Sequence, residues 1–143
     1  SLGSLVVRML IELEEFEPFL EHIGNFISLS SPHLGVYCGN GYVMASGIWL
    51  WKKLKVSKSA SFSQLTLSDA DDPSDTFIYQ LAHKKNISRF RQVIFVGSDQ
   101  DKYSPFESSL LRPGEGGNPI YQQMSSVLFH NFVEENVRVV FMN

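Results

Sequence analysis

The sequence predicts an α/β chain: three parallel strands in one sheet, with flanking helices and a helical insertion. Three observations carry that prediction. Val93-Ile94-Phe95-Val96 is a continuous apolar run closed by Gly97, as expected of a strand covered on both faces. Phe26-Ile27-Ser28-Leu29-Ser30 and Val137 to Met142 are two further strand candidates. Helical spacing fills the stretches between them, and strands alternating with helices imply a parallel sheet with right-handed crossovers.

Leu2, Leu5, Val6, Met9, Leu10 and Leu13 recur at helical spacing, and Val7 and Ile11 extend the apolar surface around most of the circumference. A helix of that kind is expected to be buried against a sheet. Glu12 to Glu17 end the pattern, and Pro18 to Ile23 reads as a short second helical turn. After the first strand comes the turn Ser31-Pro32-His33-Leu34-Gly35.

Residues 36–68 read as an insertion, with a helix from Tyr42 to Lys55 that carries Trp49, Trp51 and a lysine-rich end. Asp72-Pro73-Ser74-Asp75 predicts a helix start, with Asp72 as cap and Pro73 at the first position. Phe77, Ile78 and Leu81 give that helix its apolar face. A polar loop runs from Ser98 to Ser108, and residues 119–133 read as the last helix.

Composition narrows the function classes. A chain of 143 residues suits one domain or part of a larger one, and 43% hydrophobic against 19% charged residues makes it globular. The net charge of −3, with no basic cluster large enough to track a phosphate backbone, argues against nucleic acid. The lone Cys38 excludes an internal disulfide or a Cys-rich metal site. The apolar stretch from Tyr42 to Trp51 is too short to span a bilayer. Asp69, Asp71, Asp72 and Asp75 lack the glycine and terminal glutamate of a calcium loop. Gly114-Glu115-Gly116-Gly117 has no strand before it and so is no dinucleotide cradle. No cofactor and no metal are expected.

Ser1-Leu2-Gly3 stands immediately before the first helix. Serine, one residue and glycine form the second half of a Gly-x-Ser-x-Gly nucleophile elbow, which lifts a serine hydroxyl above the end of a sheet. The same residues also serve as ordinary helix-start residues, so both readings stand on these three alone. A serine nucleophile needs a base, and the base needs a carboxylate to orient it. Ligands bind at the carboxyl ends of parallel strands, and there the loop after Val96 offers Asp99 and Asp101, equally by position.

Longer segments break the tie. Asn25 to Gly35, Ser46 to Leu50 with Lys52-Lys53, Phe62 to Thr66, Thr76 to Leu81 and Val96 to Pro105 together resemble the eukaryotic putative serine esterase family, a lipase-like branch of the α/β-hydrolases. The resemblance covers almost the whole chain. It implies a partial α/β-hydrolase domain over 1–143, with the upstream strands missing and 36–68 as lid or insertion. It further implies Ser1 as nucleophile, the Leu2 amide as one oxyanion-hole donor, and Asp101 rather than Asp99 as the acid. Ser104 stands where the family usually has valine and Glu107 where it tends to have histidine, both beside that acid.

Of the four histidines, His130 follows Asp101 in order but falls in a helical stretch, and His22 and His83 look like solvated helix positions. His33 is on the right face, where it would shape the turn or line the pocket. By resemblance the base lies beyond Asn143, so this stretch alone is expected to be close to inactive, since losing a triad member costs on the order of a millionfold in turnover.

The implied substrate is a small-molecule or lipid ester. Peripheral membrane contact is expected if Tyr42–Lys58 is a lid with Lys52, Lys53, Lys55 and Lys58 near anionic headgroups. The compartment stays open between cytoplasm and membrane surface. The alternative is a non-catalytic interaction or lipid-binding module on the same fold.

Overall fold

Side chains alternate across a strand, so one buried face requires every second residue to be apolar or hydrogen-bonded. β1 (Asn25–Leu29) obeys this with Phe26 and Ser28 buried and Ile27 and Leu29 exposed. The computed structural model describes residues 2–36, 59–114 and 118–143 of the chain. Ser1 and the candidate lid segment Tyr42–Lys58 therefore lie outside the described residues.

β2 (Gln92–Val96) lies in the middle of the sheet and β3 (Arg138–Met142) beyond it, in the order β1-β2-β3. Both pairings are parallel, with Asn25 opposite Gln92 and Gln92 opposite Arg138, so the three strands end level. This is the three-stranded parallel sheet, flanked by helices, of a partial α/β fold.

The helices gather on one face. α1 (Gly3–Leu10) precedes β1, joined to it by 3-10 turns over Glu14–His22. α2 (Ala60–Leu65), a 3-10 turn at Pro73–Asp75, α3 (Phe77–Ala82) and a turn at Ile87–Arg89 lead to β2. The short α4 (Phe106–Ser109) and the long α5 (Pro119–Glu134) lead to β3. Phe95 stacks on Phe141 across the sheet, and Phe129 and Phe132 of α5 pack over that pair. His33 meets the Phe95 ring edge-on, and Phe26 packs on Phe90.

Local chemistry sets several boundaries. Pro119 occupies the first turn of α5 and the Asn118 side chain accepts from the Ile120 amide at 3.0 Å, which is why the helix starts there. Ser59 caps α2 through the Phe62 amide at 3.2 Å. Asp72 does act as a cap, accepting from the Ser74 amide at 2.8 Å, but the turn it opens is 3-10 and closes at Asp75. The α-helix starts at Phe77, whose amide is taken by the Asp69 carboxylate at 2.9 Å. A cap eight residues away could not be read from local spacing.

Two burial expectations are corrected. α1 is a helix, but Leu2, Val6, Met9, Leu10 and Leu13 are exposed, while Leu5, Arg8 and Ile11 are buried. The inward stripe runs through the one arginine. β2 is covered on one face only: Val93 and Phe95 are buried, whereas Ile94 and Val96 are half-buried, because the described helices all pack on the other side. The expected Ser98–Ser108 loop also contains a helix, α4, whose Ser108 and Ser109 are buried. No helix among the described residues is long and apolar enough to cross a membrane.

Candidate active site

Because the strands end level, the segments following them meet at one edge. After β1 the backbone turns sharply: Ser30 takes a left-handed conformation, φ 44°, while its amide still reaches the Val96 carbonyl at 2.8 Å. Residues 31–36 are all buried. Gly35 has φ 86°, and a Cβ there would meet the Leu65 carbonyl oxygen at 2.8 Å, so this turn requires glycine. The Leu34 amide donates to Ser108 Oγ at 2.9 Å, tying this turn to α4.

After β2, Gly97 lets α4 approach, since a Cβ would stand 3.0 Å from Leu110. The chain then turns through Asp99 and Gln100, both exposed, and returns at Asp101, which is half-buried. Asp101 Oδ1 accepts from the Tyr103 amide at 2.7 Å and the Ser104 amide at 3.1 Å. Those two bonds fix the carboxyl group against its own loop; among the described residues Oδ2 has no partner. The Ser104 hydroxyl turns away and meets Ser109 Oγ at 2.9 Å, so this serine bonds the carboxylate through its amide and not its side chain.

Leu2 begins α1, its carbonyl accepting from the Leu5 and Val6 amides at 3.0 and 3.3 Å. Its side chain is exposed.

The histidines divide by position. His130 is exposed on α5 and pairs with Glu134 at 3.1 Å, near the helix end that leads into the start of β3. It is therefore at the opposite end of the sheet from Asp101. His22 is exposed beside Glu21, and His83 bonds the Tyr79 carbonyl at 2.9 Å and packs on the Tyr79 ring. His33 is fully buried, so it shapes the turn and does not line an open pocket.

Around His33 lies a network the sequence reading did not anticipate. Arg8, fully buried, donates from Nε to Asn86 Oδ1 at 3.1 Å, from Nη2 to the Leu81 carbonyl at 2.9 Å, and from Nη1 toward His33 Nδ1 at 3.3 Å. His33 Nε2 lies 2.7 Å from Ser28 Oγ, and the Ser4 hydroxyl donates to the same oxygen at 3.3 Å. An arginine has no lone pair to offer, so His33 Nδ1 must be the acceptor and Nε2 must carry the proton. No partner is a carboxylate. Burial pulls the guanidinium down to about 9, with Glu12 opposing, which leaves it charged at neutral pH. Burial first, and Arg8 second, push His33 well below its ordinary value, so it is neutral. The only sign in the sequence is a single arginine three residues after Leu5 and three before Ile11.

A family model described as putative serine esterase (DUF676) matches residues 1–113. The chain belongs to this family. The putative serine esterase match takes in α1, β1, the Arg8–His33 network, β2 and the Asp101 loop, and it stops before α5 and β3. No solved structure matches the chain significantly.

Proposed function

We propose that this chain supplies the nucleophile and the acid of a serine esterase acting on carboxylic esters, with lipid acyl esters as the substrate class. Ser1 Oγ attacks the ester carbonyl while a histidine takes its proton. The Leu2 amide, with a second donor from another loop, holds the oxyanion. The imidazolium returns the proton to the departing alcohol as the ester C–O bond breaks. Water then attacks the acyl-enzyme, releasing the acid and restoring the serine. Asp101 orients the imidazole and stabilises its charged form. In this proposal the base is none of His22, His33, His83 and His130: three are exposed at helix or turn positions and His33 is buried against Arg8.

The observation that carries this reading is the Asp101 carboxyl, pinned by two backbone amides at the carboxyl end of the middle strand, with Oδ2 unpartnered among the described residues. A carboxylate held in this way can offer its other oxygen to an imidazole N–H. Asp99, exposed in the preceding turn, has no such support. The extent of the family match, from Ser1 past Asp101, supports the same pair.

Labelling of the complete protein with a fluorophosphonate probe tests it. Labelling that Ser1→Ala abolishes is the expected result. A folded protein that takes up no label would favour the non-catalytic module instead.

A further inference from the structure

The helix that follows the proposed nucleophile in sequence is not held the way a helix on a sheet usually is. Its apolar residues Leu2, Val6, Met9, Leu10 and Leu13 face outward, and its inward stripe carries Ser4, Leu5 and Arg8. Ser4 and Arg8 lie one turn apart, and each is bonded to the β1 unit: Ser4 to Ser28 within the strand, Arg8 to His33 in the turn after it. Ser28 and His33 are in turn bonded to one another. The four side chains and the first two turns of α1 close a ring.

The donor directions in the ring are fixed and converge on Ser28. Arg8 can only donate, so His33 accepts at Nδ1 and donates from Nε2 to Ser28, which also accepts from Ser4. A second set of bonds, to Asn86 and the Leu81 carbonyl, holds the guanidinium from the far side. Sliding α1 along its axis, or rotating it, would break both rungs together. Ser4 is two residues after Leu2, whose carbonyl accepts the first bonds of the helix, so the ring bears on the Leu2 amide, a group that must meet the substrate carbonyl in the proposed reaction.

We propose that Arg8 and His33 are positioning residues for the ester-cleaving site: through the ring Ser4–Ser28–His33–Arg8 they set where the start of α1 holds the Leu2 amide, next in sequence to the proposed nucleophile. The proposal rests on the serine esterase reading above. It assigns the SPHLG turn a task in catalysis at a distance, with no contact between His33 and substrate. A shift of about 1 Å in reacting groups costs on the order of 100-fold in rate, so small relaxations of α1 have a measurable effect.

The test uses the complete protein, a p-nitrophenyl acyl ester, and active sites counted by fluorophosphonate titration. His33→Leu removes both bonds of the imidazole, whereas His33→Gln retains an acceptor for Arg8 and a donor for Ser28. Expected is a fall in kcat per titrated site of roughly 10- to 100-fold for His33→Leu with KM near wild type, and substantial recovery in His33→Gln. Ser28→Ala, which deletes one atom from the middle of the ring, carries the same expectation at several-fold if His33→Leu does not fold. Turnover per titrated site equal to wild type in the folded variants would overturn the proposal, even if their melting temperatures fall, because that is the pattern of a purely structural role. A wild-type protein that neither labels nor hydrolyses ester removes the esterase reading, and the positioning role with it. A wild type that labels while its variants keep full turnover removes the positioning role alone.

Discussion

His33 Nε2 and Ser28 Oγ sit 2.7 Å apart, a serine–histidine pair sealed from solvent. What faces the other ring nitrogen is Arg8, where a catalytic pair would present a carboxylate. The substitution of cation for anion inverts the chemistry. A carboxylate would favour the imidazolium and so make His33 a base; the guanidinium penalises it and locks the ring neutral. The pair is a structural fastening built from the same two residue types.

That inversion predicts an acid limb to the stability curve. The unfolded chain, with a histidine of ordinary pKa near 6.5, binds a proton below that value, and the folded chain refuses it. More protons on the unfolded state means stability rises with pH. The His33 contribution is therefore complete above about 6.5 and declines as pH falls toward the lowered folded value, by at most about 1.4 kcal/mol per pH unit. Among the described residues Arg8 is the one charged side chain bonded to the ring, and Ser28, Phe26 and Phe95 also contact it. Urea midpoints between pH 7 and 5 should fall for wild type and stay flatter for His33→Gln. Parallel profiles would contradict the neutral, buried ring.

Removing the cation should cost less than breaking a buried ion pair, which typically runs to about 3–5 kcal/mol. In Arg8→Met the Asn86 Oδ1 still accepts from the Ile87 amide at 2.7 Å, and the Leu81 carbonyl still accepts from Asn86 Nδ2 at 2.8 Å. His33 Nδ1 loses its donor, and the His33 carbonyl loses a long contact at 3.5 Å. One unsatisfied buried acceptor costs about 1–3 kcal/mol, partly offset because a buried charge has gone. A loss within that range by chemical denaturation is expected; a loss above about 4 kcal/mol would mean that the guanidinium compensates a negative charge.

Asp101→Asn separates the acid's two tasks. The asparagine Oδ1 can still accept from the Tyr103 and Ser104 amides, so the loop and the melting temperature should hold. The negative charge and the correct partner for an imidazole N–H are lost, and turnover in the complete protein should fall on the order of 10⁴-fold. Asp99→Asn, in the exposed turn, should leave turnover near wild type. Equal losses in the two variants would undo the choice between them.

How much of this was legible in the sequence depends on whether the cause was local. α5 was expected over 119–133 and runs to Glu134, because its Asn118-Pro119 start is written in adjacent residues. The three strands came from apolar runs that need no distant partner to be recognised. The α1 burial was not legible. A helix apolar nearly all round does not declare which side faces the core, and an arginine is ordinarily assigned to solvent. Its inward turn depends on Asn86 and the Leu81 carbonyl, 78 and 73 residues away in the chain. Asp101 was separable from Asp99 only through the family resemblance; the two amides that distinguish it belong to a turn geometry that spacing leaves undetermined.

The outward side of α1 yields the last prediction. Val6 is 63% exposed and Met9 48%, and on the uncovered sheet face Ile27 and Leu29 are 58% and 61% exposed. Apolar surface of that extent in one polypeptide promotes self-association, and an open edge strand adds to it. Residues 1–143 expressed alone should bind a hydrophobic dye and form concentration-dependent aggregates. Val6→Lys with Met9→Lys should reduce both while changing stability by no more than about 0.5 kcal/mol, since neither side chain is packed. If the same pair of changes unfolds the polypeptide, Val6 and Met9 are packed in solution and the outward orientation of this stripe is wrong. A monomeric, dye-negative wild type would point the same way.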